Sequence, residues 1–145
     1  MFENEEKMVL TFIEYLHVSS TPWGTVKGAT EFFYQRGRTD LVVVSGEKLI
    51  AFEAKLNKWR LALQQAYRNK CFADVSYVIL SEREARIASR YQGEFERRGV
   101  GLCFVNSSGI SIVYEAEIAS PLQPWLHKKA MEYIEQEDGR HGTAS

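Results

Sequence analysis

The chain has 145 residues, a formal net charge of −1 at pH 7 and 45% hydrophobic residues. These values are ordinary for one globular domain, leave too little chain for two, and exclude a protein that is basic throughout. An acidic N-terminus without a long apolar run predicts no signal peptide, and apolar runs of only a few residues along the chain predict no transmembrane helix. Two isolated cysteines, Cys71 and Cys103, predict a reduced protein of the cytoplasm.

The first half of the chain predicts a helix, three strands and a second helix. Val9, Phe12 and Ile13 recur at helical spacing, and the strands that follow are bounded by glycine- and serine-containing turns. In chain order we expect a helix over 4–17, a turn over 19–24, strands within 27–35, 40–44 and 48–56, and a helix over 58–70.

The second half predicts three more strands and two more helices. Ser120 is a suitable N-cap for the last helix, with Pro121 in its first turn. We expect a strand within 74–82, a helix over 82–98, strands within 100–106 and 110–116, a helix over 120–137, and a disordered tail over 138–145. Residues 1–137 would then form a single domain.

The apolar strands indicate the fold class. Runs such as LVVV at 41–44 and YVIL at 77–80 have no polar alternation, which is typical of strands covered on both faces. We therefore expect an α/β fold with a mixed central sheet flanked by helices, in the order α-β-β-β-α-β-α-β-β-α.

Three charged residues lie on strands that are otherwise apolar. Glu53 and Lys55 share one face of the third strand because side chains alternate along a strand. A two-residue hairpin loop would place Asp40 opposite Ala51 and diagonal to Glu53, and a four-residue loop would place it directly opposite Glu53. Both alternatives put Asp40 on the face of Glu53 and Lys55.

Two carboxylates this close point to cation chemistry. Residues opposed across two strands lie about 4.5–5.5 Å apart, and diagonal ones about 7–8 Å. Carboxylates at these distances repel unless a proton or a metal lies between them. Mg²⁺ takes one or two protein carboxylates and also binds phosphate oxygens. Lys55 beside them could orient an attacking water or stabilise charge on a phosphate.

Asp40, followed thirteen positions later by Glu53-Ala54-Lys55 on the next strand, resembles the motif of the PD-(D/E)xK nuclease superfamily. This superfamily includes restriction endonucleases and archaeal Holliday-junction resolvases. The similarity covers roughly residues 4–81 in element order, with Thr39 where the family name has proline. It implies a three-layer, restriction-endonuclease-like fold. It also implies that Asp40, Glu53 and the carbonyl of Ala54 bind Mg²⁺ or Mn²⁺ and that Lys55 assists the attacking water.

The resemblance also implies an acid on the first helix and a glutamine on the helix after the motif. Glu5 is nearest the centre of the apolar face of the first helix, with Glu6 second, and Gln65 is the expected glutamine, with Gln64 as the alternative. Plainer interpretations stay open: Glu5 as an acid favoured at a helix N-terminus, Gln65 as a boundary residue, and Glu53 with Lys55 as a rim ion pair.

Basic residues follow the motif immediately. Lys58, Arg60, Arg68 and Lys70 occur without an intervening acid, which predicts either a nucleic-acid-binding surface or a solvated helix face. We therefore expect a Mg²⁺-dependent nuclease that hydrolyses phosphodiester bonds in DNA, with RNA as an alternative substrate. The other hypothesis is an inactive module that binds nucleic acid or a protein. The amphipathic last helix also suggests a homodimer.

Overall fold

The apolar runs of the sequence form the central strands of a six-stranded sheet. The computed structural model describes residues 2–18 and 21–144, the side chains of 18 and 139–144 excepted. The strands are β1 Val26–Tyr34, β2 Gly37–Ser45, β3 Lys48–Ala54, β4 Val75–Ser81, β5 Gly101–Asn106 and β6 Gly109–Tyr114. The helices are α1 Glu5–Val18, α2 Trp59–Asn69, α3 Glu82–Ala88, α4 Gln92–Arg98 and α5 Pro124–Ala144.

The strands lie side by side in the order in which they occur along the chain. Strands β1, β2 and β3 form an antiparallel meander. Helix α2 then carries the chain over so that β4 lies parallel to β3, and α3 and α4 do the same for β5. Strand β6 returns antiparallel to β5. The expected α/β fold with a mixed sheet flanked by helices is therefore confirmed.

Two apolar layers hold the helices against the sheet. On one face, Met8, Phe12 and Leu16 of α1 pack against side chains such as Ile50 and Phe52 of β3. On the other face, α2, α3 and α4 cover β4 and β5, while α5 covers β1 and β2. None of the described helices is long and apolar enough to cross a membrane.

Two helices differ from their predicted bounds. The helix predicted over 82–98 is interrupted by a 3₁₀ turn at Ser89–Tyr91, where the hydroxyl of Tyr114 donates to the carbonyl of Ser89. The last helix begins at Pro124, so the predicted cap at Ser120 is wrong. Backbone bonds from the Ala119 amide to the Asp74 carbonyl and from the Gln123 amide to the Cys71 carbonyl tie this segment to the connection between α2 and β4 instead.

The ends of two predicted segments also differ. Helix α5 continues to Ala144, into residues predicted as a disordered tail. Ser19 and Ser20 of the predicted turn lie outside the described residues, while Thr21–Gly24 closes through a bond from the Gly24 amide to the Thr21 carbonyl.

Strand β1, at one edge of the sheet, is distorted at Glu31. This residue has a φ of 57°, in the left-handed region that L-residues other than glycine rarely adopt. The register of the neighbouring pairs, Thr30 with Leu41 and Phe32 with Thr39, places Glu31 beside Asp40. The hydroxyl of Tyr133 donates to the backbone carbonyl of Thr30 and lies 3.2 Å from the backbone carbonyl oxygen of Glu31. Helix α5 therefore holds this distortion next to the predicted site.

Candidate active site

The β2–β3 hairpin brings Asp40 next to Glu53. Val44 pairs with Leu49 and Leu41 with Phe52, which is the register of the four-residue-loop alternative. Asp40 and Glu53 are the next two residues opposite each other, just beyond the pair Leu41–Phe52 at the end away from the hairpin loop. The Oδ2 atom of Asp40 accepts a hydrogen bond from the amide of Ala54 at 2.9 Å, and its Oδ1 atom accepts one from Arg38 at 3.1 Å. The carboxylate of Asp40 thus bridges the two strands where their backbone pairing ends.

Glu53 is a buried acid beside another acid. Its side chain is 2% exposed, and its Oε2 atom accepts a hydrogen bond of 2.7 Å from the side-chain amide nitrogen, Nδ2, of Asn69. Burial, and then the negative charge of Asp40, raise the pKa of Glu53 to about 8. A carboxyl with such a pKa retains a proton at neutral pH unless a cation compensates its charge, as expected for a pair of close carboxylates.

Sequence reasoning missed Asn69, which is fully buried at the end of α2. Its Oδ1 atom accepts hydrogen bonds from the hydroxyls of Tyr34 at 2.8 Å and Thr39 at 2.9 Å, while its Nδ2 atom donates to Glu53. The sequence contained one indication of this role. Asn69 continues the buried helical positions Ala62 and Ala66, where a polar side chain requires partners.

Lys55 and Glu5 form a second pair at the same end of the sheet. The Nζ atom of Lys55 lies 3.7 Å from the Oε1 atom of Glu5 at the N-terminus of α1. Glu5 and Glu6 line an open cleft of about 480 Å³ together with Asp40 and Ala54. The structure therefore brings Glu5 close to Lys55 and places Glu5 and Asp40 in the lining of the same cleft.

The predicted helix glutamines do not provide the amide that reaches Glu53. Gln64 is exposed and Gln65 half-buried, whereas Asn69, one turn after Gln65, makes this contact.

The four basic residues after the motif divide into two pairs. Lys58 and Arg60 are exposed, and the Arg60 guanidinium lies 4.3 Å from the centre of the Trp59 ring. Arg68 and Lys70 are instead engaged within the protein. Lys70 donates to the carbonyl of Arg98. Arg68, 18% exposed, donates to the carbonyls of Arg36 and Arg38 and lies 3.5 Å from Glu53. Of the four, Lys58 and Arg60 are the more accessible to a phosphate.

The donor atoms suit a hard divalent cation with an incomplete protein shell. Among the side chains that the structure describes, no group of three or more from histidine, cysteine, aspartate or glutamate is arranged to hold a metal ion. Asp40 and Glu53 offer two carboxylates, and Mg²⁺ typically takes one or two of these and keeps several waters. Burial and the neighbouring charge of Asp40 raise the pKa of Glu53 although Arg68 lies 3.5 Å away, so a cation bound between the two carboxylates would favour their charged forms, and the residues present fit such an ion.

Comparisons with known proteins establish similarity at the level of the fold. No protein-family model matches the chain, and no curated protein is similar to it in sequence. Among solved structures, the chain is similar to SPO1766, a protein of unknown function from Silicibacter pomeroyi, with a TM-score of 0.62 and 14% sequence identity. The match covers 98% of this chain and 88% of the other.

Proposed function

We propose that the protein is a metal-dependent nuclease that hydrolyses phosphodiester bonds in DNA on a restriction-endonuclease-like fold. The observation that carries this proposal is the buried Glu53 carboxyl beside Asp40, at the point where strands β2 and β3 separate. The order of α1, the three-stranded meander, α2 and the parallel strand β4 also supports it, because the sequence motif resembles the PD-(D/E)xK superfamily in this order.

The residues have distinct roles in the proposed reaction. Asp40, Glu53 and the carbonyl of Ala54 would hold Mg²⁺ or Mn²⁺. When bound, such a cation supplies a nucleophile at neutral pH and neutralises charge on the phosphate. Lys55 stabilises the negative charge that develops at phosphorus, and Glu5, 3.7 Å away, keeps its ammonium group at the cleft. Exposed Lys58 and Arg60 attract the nucleic-acid backbone.

Cleavage by an Asp40→Asn variant tests the proposal. The asparagine keeps an oxygen acceptor for the Ala54 amide but removes the charge that a cation needs. We expect the purified chain with Mg²⁺ or Mn²⁺ to cleave DNA, and the variant to be slower by about 100-fold or more, a typical loss for one preorganised catalytic group. The matched control is Glu14→Gln, an exposed acid on α1, which should cleave like the wild type.

The substrate panel contains duplex, single-stranded and junction DNA and RNA, with closed circles to separate internal cleavage from cleavage at ends. Equal cleavage by the wild type and Asp40→Asn, or no cleavage of any substrate with either metal, would contradict the proposal.

One observation favours a second candidate function, a catalytically inactive module that binds nucleic acid or a partner protein. Asn69 and Arg68 already lie against the Oε2 atom of Glu53, so protein groups partly compensate this acid without a metal. DNA binding in EDTA that weakens with salt and with Lys58→Ala and Arg60→Ala, without cleavage in Mg²⁺ or Mn²⁺, would support this candidate.

The homodimer suggested by the amphipathic last helix is a separate proposal, and sedimentation of the wild type would test it.

A further inference from the structure

We propose that Asn69 is a positioning residue, fixed by the hydroxyls of Tyr34 and Thr39, which keeps Glu53 from closing onto Arg68 and so leaves its carboxylate available to a cation shared with Asp40. This inference rests on the proposed function for the identity of the cation. The position of Glu53 that it predicts is independent of catalysis.

The hydrogen bonds at Asn69 fix the orientation of its amide. Two hydroxyls, from Tyr34 in β1 and Thr39 in β2, lie within 2.9 Å of the Oδ1 atom. With the oxygen held there, the Nδ2 group faces Glu53 at 2.7 Å. The flipped amide would turn its oxygen towards Glu53 and leave the Oε2 atom without this N–H donor. Asn69 and Thr39 are both fully buried, so water cannot readily replace these contacts.

Asn69 and Arg68 are neighbours on α2 and reach the same oxygen of Glu53. The Asn69 contact of 2.7 Å is a short hydrogen bond, whereas the Arg68 contact of 3.5 Å is at the limit of one. The Arg68 guanidinium is held by the carbonyls of Arg36 and Arg38, so Glu53 rather than Arg68 would move if the Asn69 bond were lost. A buried Glu53–Arg68 ion pair would then compete with a cation for the carboxylate.

Mn²⁺ alone is the probe, with its dissociation constant measured by electron paramagnetic resonance on the whole 145-residue chain. We expect Asn69→Leu to weaken Mn²⁺ binding by about 10–100-fold, the typical loss when a group that orients a metal ligand is removed. Tyr34→Phe and Thr39→Val should each weaken it a few-fold.

Two controls resemble these changes without touching the site. Asn106→Leu removes another amide-to-glutamate bond, to Glu82, and Tyr15→Phe removes another tyrosine hydroxyl, bonded to Ser107. Both should leave Mn²⁺ affinity unchanged.

A double-mutant cycle separates positioning from general loss of stability. If Tyr34 acts through Asn69, Tyr34→Phe should cause no further loss of Mn²⁺ affinity on the Asn69→Leu background. Fully additive losses, or a folded Asn69→Leu protein with wild-type affinity, would overturn the inference. Should Asn69→Leu fail to fold, the Tyr34→Phe/Thr39→Val double variant, which retains the amide donor, provides the same test.

Failure of the proposed function can be told apart from failure of the positioning role. If the wild type binds no Mn²⁺ and cleaves no substrate, crystal structures of the metal-free wild type and of Asn69→Leu test whether Asn69 sets the position of Glu53. A Glu53 carboxylate moved onto Arg68 supports the positioning role, and an unmoved carboxylate refutes it.

Discussion

Replacing Glu53 by glutamine is expected to remove most of a pH-dependent loss of stability in the metal-free protein. In the unfolded chain Glu53 ionises near its ordinary pKa of 4.5, whereas burial and Asp40 raise its pKa to about 8 in the folded chain. Between these pH values the unfolded state binds fewer protons than the folded state. The free energy of unfolding therefore falls as the pH rises, and the loss is complete above about pH 8.

The structure sets the size of this effect. The interval from 4.5 to about 8, at about 1.4 kcal/mol for each pH unit, corresponds to an upper value of roughly 5 kcal/mol. Because the protein relaxes and water penetrates around a buried charge, we expect a few kcal/mol in practice. Glu53→Gln stays neutral throughout. It should match the wild type near pH 4.5 and exceed its stability by a few kcal/mol at pH 8.5.

Urea denaturation followed by tryptophan fluorescence, in EDTA at pH 4.5, 6.5 and 8.5, measures this difference. Glu14→Gln, on the exposed face of α1, corrects for the other titrating groups and should follow the wild type. If wild-type stability does not fall relative to Glu53→Gln as the pH rises, Glu53 is not an acid whose pKa is raised by burial and by the negative charge of Asp40.

Three further predictions concern stability, measured by the same denaturation at one pH. Gly101→Ala should lower it by several kcal/mol, because a Cβ atom there would lie 2.3 Å from the Tyr77 ring and 2.8 Å from the backbone nitrogen of Ala116; a wild-type midpoint would contradict this. The free energy of unfolding of Glu31→Gly should exceed that of Glu31→Ala by about 1 kcal/mol, because of these two residues only glycine adopts a φ of 57° without strain. Equal stabilities of the two variants would count against that strain. Phe12→Ala should cost about 3–5 kcal/mol, because the ring is fully buried against Trp23 and Phe52, whereas a loss below about 1 kcal/mol would indicate loose packing.

The sequence predicted those features that depend on local periodicity. The alternation of side chains along β3 and a hairpin loop with an even number of residues were enough to place Asp40 beside Glu53. A shift of one residue in the strand pairing would have moved an entire apolar face into water. The same reasoning located α1 and α2 to within about two residues and identified β4 as a strand covered on both faces.

Features that depend on contacts between distant residues were not predicted. Asn69 belongs to the site because hydroxyls 35 and 30 positions earlier bind its amide. The break after α3 depends on Tyr114, and the late start of α5 depends on backbone bonds to Asp74 and Cys71. No local pattern encodes these partners. Gly99 is the first stop signal after Glu82, and Ser120 followed by Pro121 is a typical helix start, so the sequence favoured one uninterrupted helix and an early start of the last helix.

The distortion at Glu31 has a consequence for how copies of the protein could associate. An outer strand normally offers a row of unsatisfied backbone groups to which a strand of another molecule can add. In β1 this row is broken near its middle, since the left-handed residue turns the backbone and Tyr133 occupies the carbonyl of Thr30. Intermolecular sheet extension through this strand would require α5 to release that hydroxyl, which protects the protein from aggregating along this side.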